Sequence, residues 1–208
     1  MRSSSICCAT TRALAAAVLA LACLACASGG GAGGSVGAIA DLTNPFLGPE
    51  YSAWLIGPVA RIASRDEIKA YLALHDDREA DAFILQFWER RGQVASAGGF
   101  PSRSARTVFE ERAAVADKKY GEAGLLGHRT DRGTIFVLYG LPSRGGFEVA
   151  PRPTDPPIEV WQYDAGVPAG LDGKQPDPVY RFAKRGDLTV FYHPRPGSRL
   201  TPALPPPP

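Results

Sequence analysis

The sequence predicts an α+β domain in which about three helices precede a mostly antiparallel sheet of about four strands. Three observations predict it. From Ser64 to Tyr120, apolar residues recur at three and four, punctuated by helix caps. From Gly133 to Tyr192 the pattern changes to β-branched, aromatic and alternating runs. Helices first and strands afterwards do not fit the regular alternation of a parallel α/β fold.

Ser64-Arg-Asp-Glu67 is a capping box, with an N-cap hydroxyl and a glutamate three residues on. Ile68, Tyr71, Leu72 and His75 then share one face of the first helix. Asp76 and Asp77 read as a second start, because carboxylates satisfy open backbone amides and favour the positive end of a helix. That helix carries Ala80, Phe83, Ile84, Phe87 and Trp88 as a wide stripe and stops at Gly92. After a loop over 95–101, Ser102 or Ser104 caps a third helix carrying Val108, Phe109, Ala113, Ala116 and Tyr120, which Gly121 and Gly124 end.

The first predicted strand is Gly133–Tyr139, closed by Gly140 and Pro142. The second is Ile158–Tyr163, and Val179–Phe182 with Leu188–Tyr192 form a hairpin about Arg185-Gly-Asp187.

The flanks point to export. Arg2 and Arg12 are the only charges before Asp41, and an apolar run from Ala13 to Ala22 follows them, the layout of a signal peptide over residues 1–22. The run falls short of the roughly 20 apolar residues that span a bilayer. Leu19-Ala-Leu-Ala-Cys23 resembles a bacterial lipobox, so Cys23 is the expected lipidation site. Cys26 is a second candidate acceptor, and Ala25-Cys-Ala27 is a rival site for ordinary cleavage, releasing a soluble periplasmic or secreted chain from Ser28. All four cysteines (7, 8, 23 and 26) lie in this region, which leaves the folded part without a disulfide, thiol nucleophile or thiolate metal site. Removal of residues 1–22 takes two of the 23 basic side chains and none of the 21 acidic ones, leaving a formally neutral protein. Neutrality argues against nucleic acid as a partner and against electrostatic membrane attachment.

Residues 23–53 read as a lipid-anchored linker, almost purely Gly, Ala and Ser from Ala27 to Gly37. Chance matches to G-x-G-x-x-G (29–34) and G-x-S-x-G (33–37) fall inside it without the strand and helix that give those motifs meaning. Residues 54–193 are the expected domain, and 194–208 a proline-rich, unstructured tail. The expected location is the cell envelope, outer-membrane side favoured because Leu24, not aspartate, follows Cys23.

Three blocks within this domain carry a likeness. Ile62–Glu67 leads through Tyr71-Leu72 to Phe83–Arg91; Phe109 to Tyr120 follows; then Gly127-His-Arg-Thr-Asp-Arg-Gly133 leads to Ile135–Gly140, Leu141-Pro142 and Glu159–Tyr163. Together they resemble the GWxTD-domain proteins, bacterial and often exported, with His128 standing where the Gly-Trp-x-Thr-Asp signature has Trp. That family has no established activity. The resemblance therefore implies fold and export, and transfers no catalytic residue.

Two readings of His128, Thr130, Asp131 and Arg132 compete. As turn residues, Thr130 and Asp131 accept from backbone amides and Gly133 relieves a tight backbone, with Arg132 paired to a carboxylate such as Glu159. As a ligand site, they would border a pocket with His128 as a base held by Asp131. The turn reading is preferred, because no serine nucleophile can be placed beside them. His75, Asp76, Asp77 and Glu79 converge poorly on one metal ion, since neighbours on a helix do not face each other. No metal, cofactor or catalytic residue is expected. The sequence favours a non-enzymatic interaction or assembly module that meets the membrane through its lipid and another envelope protein through its surface. The alternative is a small-ligand receptor or hydrolase about His128.

Overall fold

The computed structural model describes residues 41–94, 102–152 and 154–194, all within one compact unit. The expected signal peptide, Cys23, the linker up to residue 40 and the tail beyond Pro194 lie outside the described residues. Among those described there are six α-helices: α1 (Pro49–Ser52), α2 (Pro58–Ile62), α3 (Arg65–Leu72), α4 (Asp77–Arg91), α5 (Ala105–Tyr120) and α6 (Asp131–Tyr139). A two-stranded ribbon, β1 (Gln93–Val94) with β2 (Arg103–Ser104), joins α4 to α5. The main sheet is an antiparallel meander in the order β3 (Arg144–Glu148), β4 (Ile158–Gln162), β5 (Val179–Arg185) and β6 (Leu188–Phe191). The fold is α+β, as the sequence predicts.

The capped helices form where their signals stand. Ser64 Oγ accepts from the Glu67 amide at 3.2 Å, and Glu67 Oε2 accepts from the Ser64 amide at 2.8 Å. Glu67 also holds Arg90 at 3.0 Å and Arg91 at 2.8 Å, which fastens the start of α3 to the end of α4. Asp76 caps α4 by accepting from the Glu79 amide, and Glu79 in turn accepts from the His75 amide. Ser104, one of the two expected caps, accepts from the Thr107 amide at 3.1 Å and starts α5.

Two expectations need correction. Gly133–Tyr139 is not a strand but the body of α6, with every residue from Gly133 to Leu138 buried. A helix enclosed on all sides shows a continuous apolar run, and over so short a length that pattern does not separate helix from strand. The fourth strand is instead β3, whose Arg-Gly-Gly-Phe-Glu composition carries no strand signal of its own. It is extended because it pairs with β4, Gly146 opposite Val160.

The domain also begins before Trp54. Asn44 is fully buried and Leu47 nearly so. The Asn44 Nδ2 group donates to the Tyr71 and Leu74 carbonyls at 2.9 and 3.0 Å, closing the C-terminal end of α3. Residues 41–53, expected as linker, therefore belong to the folded part. Trp54 itself packs inward, its ring 4.8 Å from Tyr71 and 4.9 Å from Phe87.

The main core lies between the helices and the inner face of the sheet, where Trp161, Tyr163, Tyr180, Phe182 and Phe191 point. Trp88 and Trp161 are core residues, as their apolar surroundings predict. A smaller cluster of Ile158, Val160 and Ala183 covers the outer face.

Candidate functional site

The segment Gly127–Gly133 sits at the crossing of α5, α6 and the sheet. It begins and ends with a glycine in close backbone contact. A Cβ on Gly127 would lie 1.9 Å from the Ala116 carbonyl oxygen, so the turn Gly127–Arg129 rests directly on the α5 backbone. A Cβ on Gly133 would lie 1.7 Å from the Gly127 carbonyl oxygen, so the first turn of α6 rests on that turn. Only hydrogen fits at either place.

Each of the four candidate side chains then reaches a different part of the fold. His128 turns to α5, where Asp117 Oδ1 lies 2.9 Å from its amide nitrogen and 2.8 Å from Nδ1. Thr130 is 4% exposed and N-caps α6, its Oγ1 accepting from the Gly133 amide at 3.1 Å and donating to the Gly127 carbonyl at 2.8 Å. Asp131 reaches the sheet edge, where Oδ2 accepts from the Phe191 amide at 2.7 Å. Burial pushes the Asp131 carboxyl up from its ordinary range, opposed by that hydrogen bond and by the positive charge of Arg61.

Arg132 joins two carboxylates, Glu122 through Nη2 and Glu159 through Nη1, each at 3.1 Å. Its guanidinium lies 5.6 Å from the centre of the Tyr120 ring. The network extends further. Glu122 accepts from the Thr189 amide and hydroxyl at 2.9 and 2.8 Å, and Glu159 accepts from Trp161 Nε1 at 2.8 Å. Five side chains thus tie the end of α5, the start of α6, β4 and β6 into one polar seam. The far end of α6 is held too. Arg112 Nη1 donates to the Val137 and Leu138 carbonyls at 3.0 and 2.9 Å, satisfying acceptors that a helix end leaves open.

Chemically the segment holds elements together. His128 is paired with Asp117 rather than Asp131, and the nearby hydroxyls are committed, Thr130 to the Gly127 carbonyl and Thr134 to that of His128. The anticipated Arg132–Glu159 pair is present. Asp117, Glu122 and Arg112 were not legible as partners, because they lie 10 to 26 residues away along the chain and only the packing of α5 on α6 brings them near. A shallow depression is found elsewhere, on the outer face of the sheet between Pro151, Pro156, Ile158, Ala183 and Tyr192, with room for about one water molecule.

His75, Asp76, Asp77 and Glu79 are likewise engaged locally. Asp76 and Glu79 serve the α4 cap, and Asp77 accepts from the Gly48 amide at 2.8 Å. Among the described residues no three His, Cys, Asp or Glu side chains are grouped to hold a metal ion, and no helix is long and apolar enough to cross a membrane.

Comparison with known proteins adds no relative. No family model, curated protein or solved structure matches the chain.

Proposed function

We propose that this chain is an exported envelope protein, lipid-anchored at Cys23, whose domain is a non-catalytic interaction or assembly module of the GWxTD kind. The observation that carries this reading is the commitment of the His128, Thr130, Asp131 and Arg132 side chains to internal partners, although the buried Nε groups of Arg129 and Arg132 have none among the described residues. His128, Thr130, Asp131 and Arg132 contact α5, α6, β6 and β4 respectively, so their polar groups go to four different elements. A serine-type hydrolase built on His128 would need a free hydroxyl beside it, and those of Thr130 and Thr134 both donate to carbonyls. The lipobox, the formal neutrality of the mature chain and the absence of cysteine after position 26 support the tethered half of the proposal.

Intact mass spectrometry of the protein purified from its host's membranes tests it. A mature chain beginning at Cys23 and carrying a diacylglyceryl group is the expected result. A chain beginning at Ser28 without lipid would replace the tether with a soluble periplasmic or secreted role.

A further inference from the structure

The two edges of the main sheet are treated differently. At β6, the Thr189 and Phe191 amides are taken by Glu122 and Asp131, so that edge is closed by side chains from the helical half. At the other edge, β3 pairs among the described residues only with β4. An open strand edge is a template for another strand, and proteins usually blunt it with proline, cover or inward charge. Here β3 is exposed from Arg144 to Phe147, with Phe147 at 50% exposure and the flanking Leu141 and Val149 at 66% and 53%.

We propose that β3 pairs antiparallel with β3 of a second copy of this chain, about a two-fold axis at Gly146. The proposal rests on the assembly reading above and names the partner of one surface. Its warrant is that Arg144-Gly-Gly-Phe-Glu148 is complementary to itself when reversed. Centred on Gly146, Arg144 faces the partner's Glu148 and Phe147 faces the partner's Gly145, each twice. Residues directly opposite in an antiparallel pair share a face and touch. A Cβ on Gly145 or Gly146 would meet nothing within 4 Å, so an aromatic ring has room to lie over the glycine backbone. Centring the axis on Gly145 or Phe147 instead sets one charge opposite glycine and leaves the other beyond the paired strand, so the charges select one register. Glu148 already holds Arg181 at 2.7 and 3.0 Å, and a carboxylate has lone pairs for a further donor. Arg144 has only the exposed Asp164 and Gln162 side chains to leave.

The test uses the full chain in its host's envelope, as two differently tagged copies, with a photo-reactive benzoylphenylalanine replacing Gly146. Gly166, exposed in a loop with open space at its Cβ position, is the control position. The expected result is a cross-linked product carrying both tags from position 146 and none from position 166. Adding Arg144→Glu should reduce its yield at least about fivefold, by setting glutamate against glutamate, while the circular dichroism melt of the purified chain stays unchanged. An adduct at position 146 with a different protein would overturn self-pairing and leave the assembly reading standing. No adduct at position 146 would overturn self-pairing and remove the sheet edge from the assembly reading as well. A yield insensitive to Arg144→Glu would overturn the register.

Discussion

Gly133 stands directly on Gly127: the position of a Cβ on Gly133 is 1.7 Å from the Gly127 carbonyl oxygen, well inside van der Waals contact. This contact lets α6 start against the turn before it and places Asp131 and Arg132 at the sheet. Gly133→Ala should therefore be among the most damaging small substitutions, because the obstacle is backbone and cannot rotate away. A loss of more than about 3 kcal/mol in urea unfolding, or failure to fold, is expected. Gly145→Ala, with open space at that position, should leave the stability of the monomer within about 1 kcal/mol.

The Arg132 seam should behave as a unit. Arg132→Met leaves the Glu122 and Glu159 carboxylates half-buried without their cation, which should cost about 1–3 kcal/mol. A double-mutant cycle between Arg132→Met and Glu122→Gln should show coupling of about 0.5–2 kcal/mol. Strict additivity of the two would mean that the ion pair contributes nothing to the join between α6 and the α5 end.

Asp131 acts as an acceptor more than as a charge. Its carboxyl is raised by burial, so holding it ionised at neutral pH works against folding, while the Phe191 amide needs an oxygen opposite it. Asp131→Asn keeps an acceptor and should change stability by less than about 1 kcal/mol. Asp131→Ala removes it and should cost about 1–3 kcal/mol. Equal losses in the two variants, measured by urea unfolding at pH 7, would contradict this.

Acid sensitivity should centre on Glu67. Hydrogen bonding to Arg91, together with the Ser64 amide and Arg90, holds its carboxyl down at about 2 against burial, which pulls it up. A carboxyl lowered in the folded state contributes stability above its unfolded value, and that contribution is lost as pH falls toward the folded one. The stability difference between the wild type and Glu67→Gln should be flat above about pH 5 and shrink between roughly pH 4.5 and 2. Urea unfolding across that range measures it. A difference that does not change with pH would mean that the negative charge of Glu67 contributes nothing to stability.

The parts of this fold that are legible in the sequence are those with local causes. Ser64, Asp76 and Ser104 cap the helices that their positions announce, because a cap is satisfied within three residues of itself. The β5–β6 hairpin turns at Gly186-Asp187, between two runs whose composition already favours strand. What escapes has causes distant in the chain. The run Gly-Thr-Ile-Phe-Val-Leu-Tyr has strand composition, yet Arg112, 25 and 26 residues from the carbonyls it binds, and the enclosing core hold it as a helix. Nothing in Arg144–Glu148 requires a strand until β4 lies beside it, and Asn44 is a buried cap only once α3 ends above it.

The candidate site shows the same division. Thr130 as an acceptor for a nearby backbone amide follows from residue type and near position, whereas Arg132 and Glu159, an opposite-charge pair by residue type, lie 27 residues apart and meet only through tertiary packing. The partners Asp117 of His128 and Phe191 of Asp131 follow only from tertiary packing, 11 and 60 residues away.

The central claim is that His128, Thr130, Asp131 and Arg132 serve the fold and not a ligand, and Thr130→Val tests it most directly. Valine keeps the shape of threonine but removes the acceptor for the Gly133 amide and the donor to the Gly127 carbonyl, at a position only 4% exposed. Urea unfolding should show a loss of about 1–3 kcal/mol with an unchanged denaturant slope. Unchanged or increased stability, the behaviour of a side chain held in reserve for a ligand, would contradict the account.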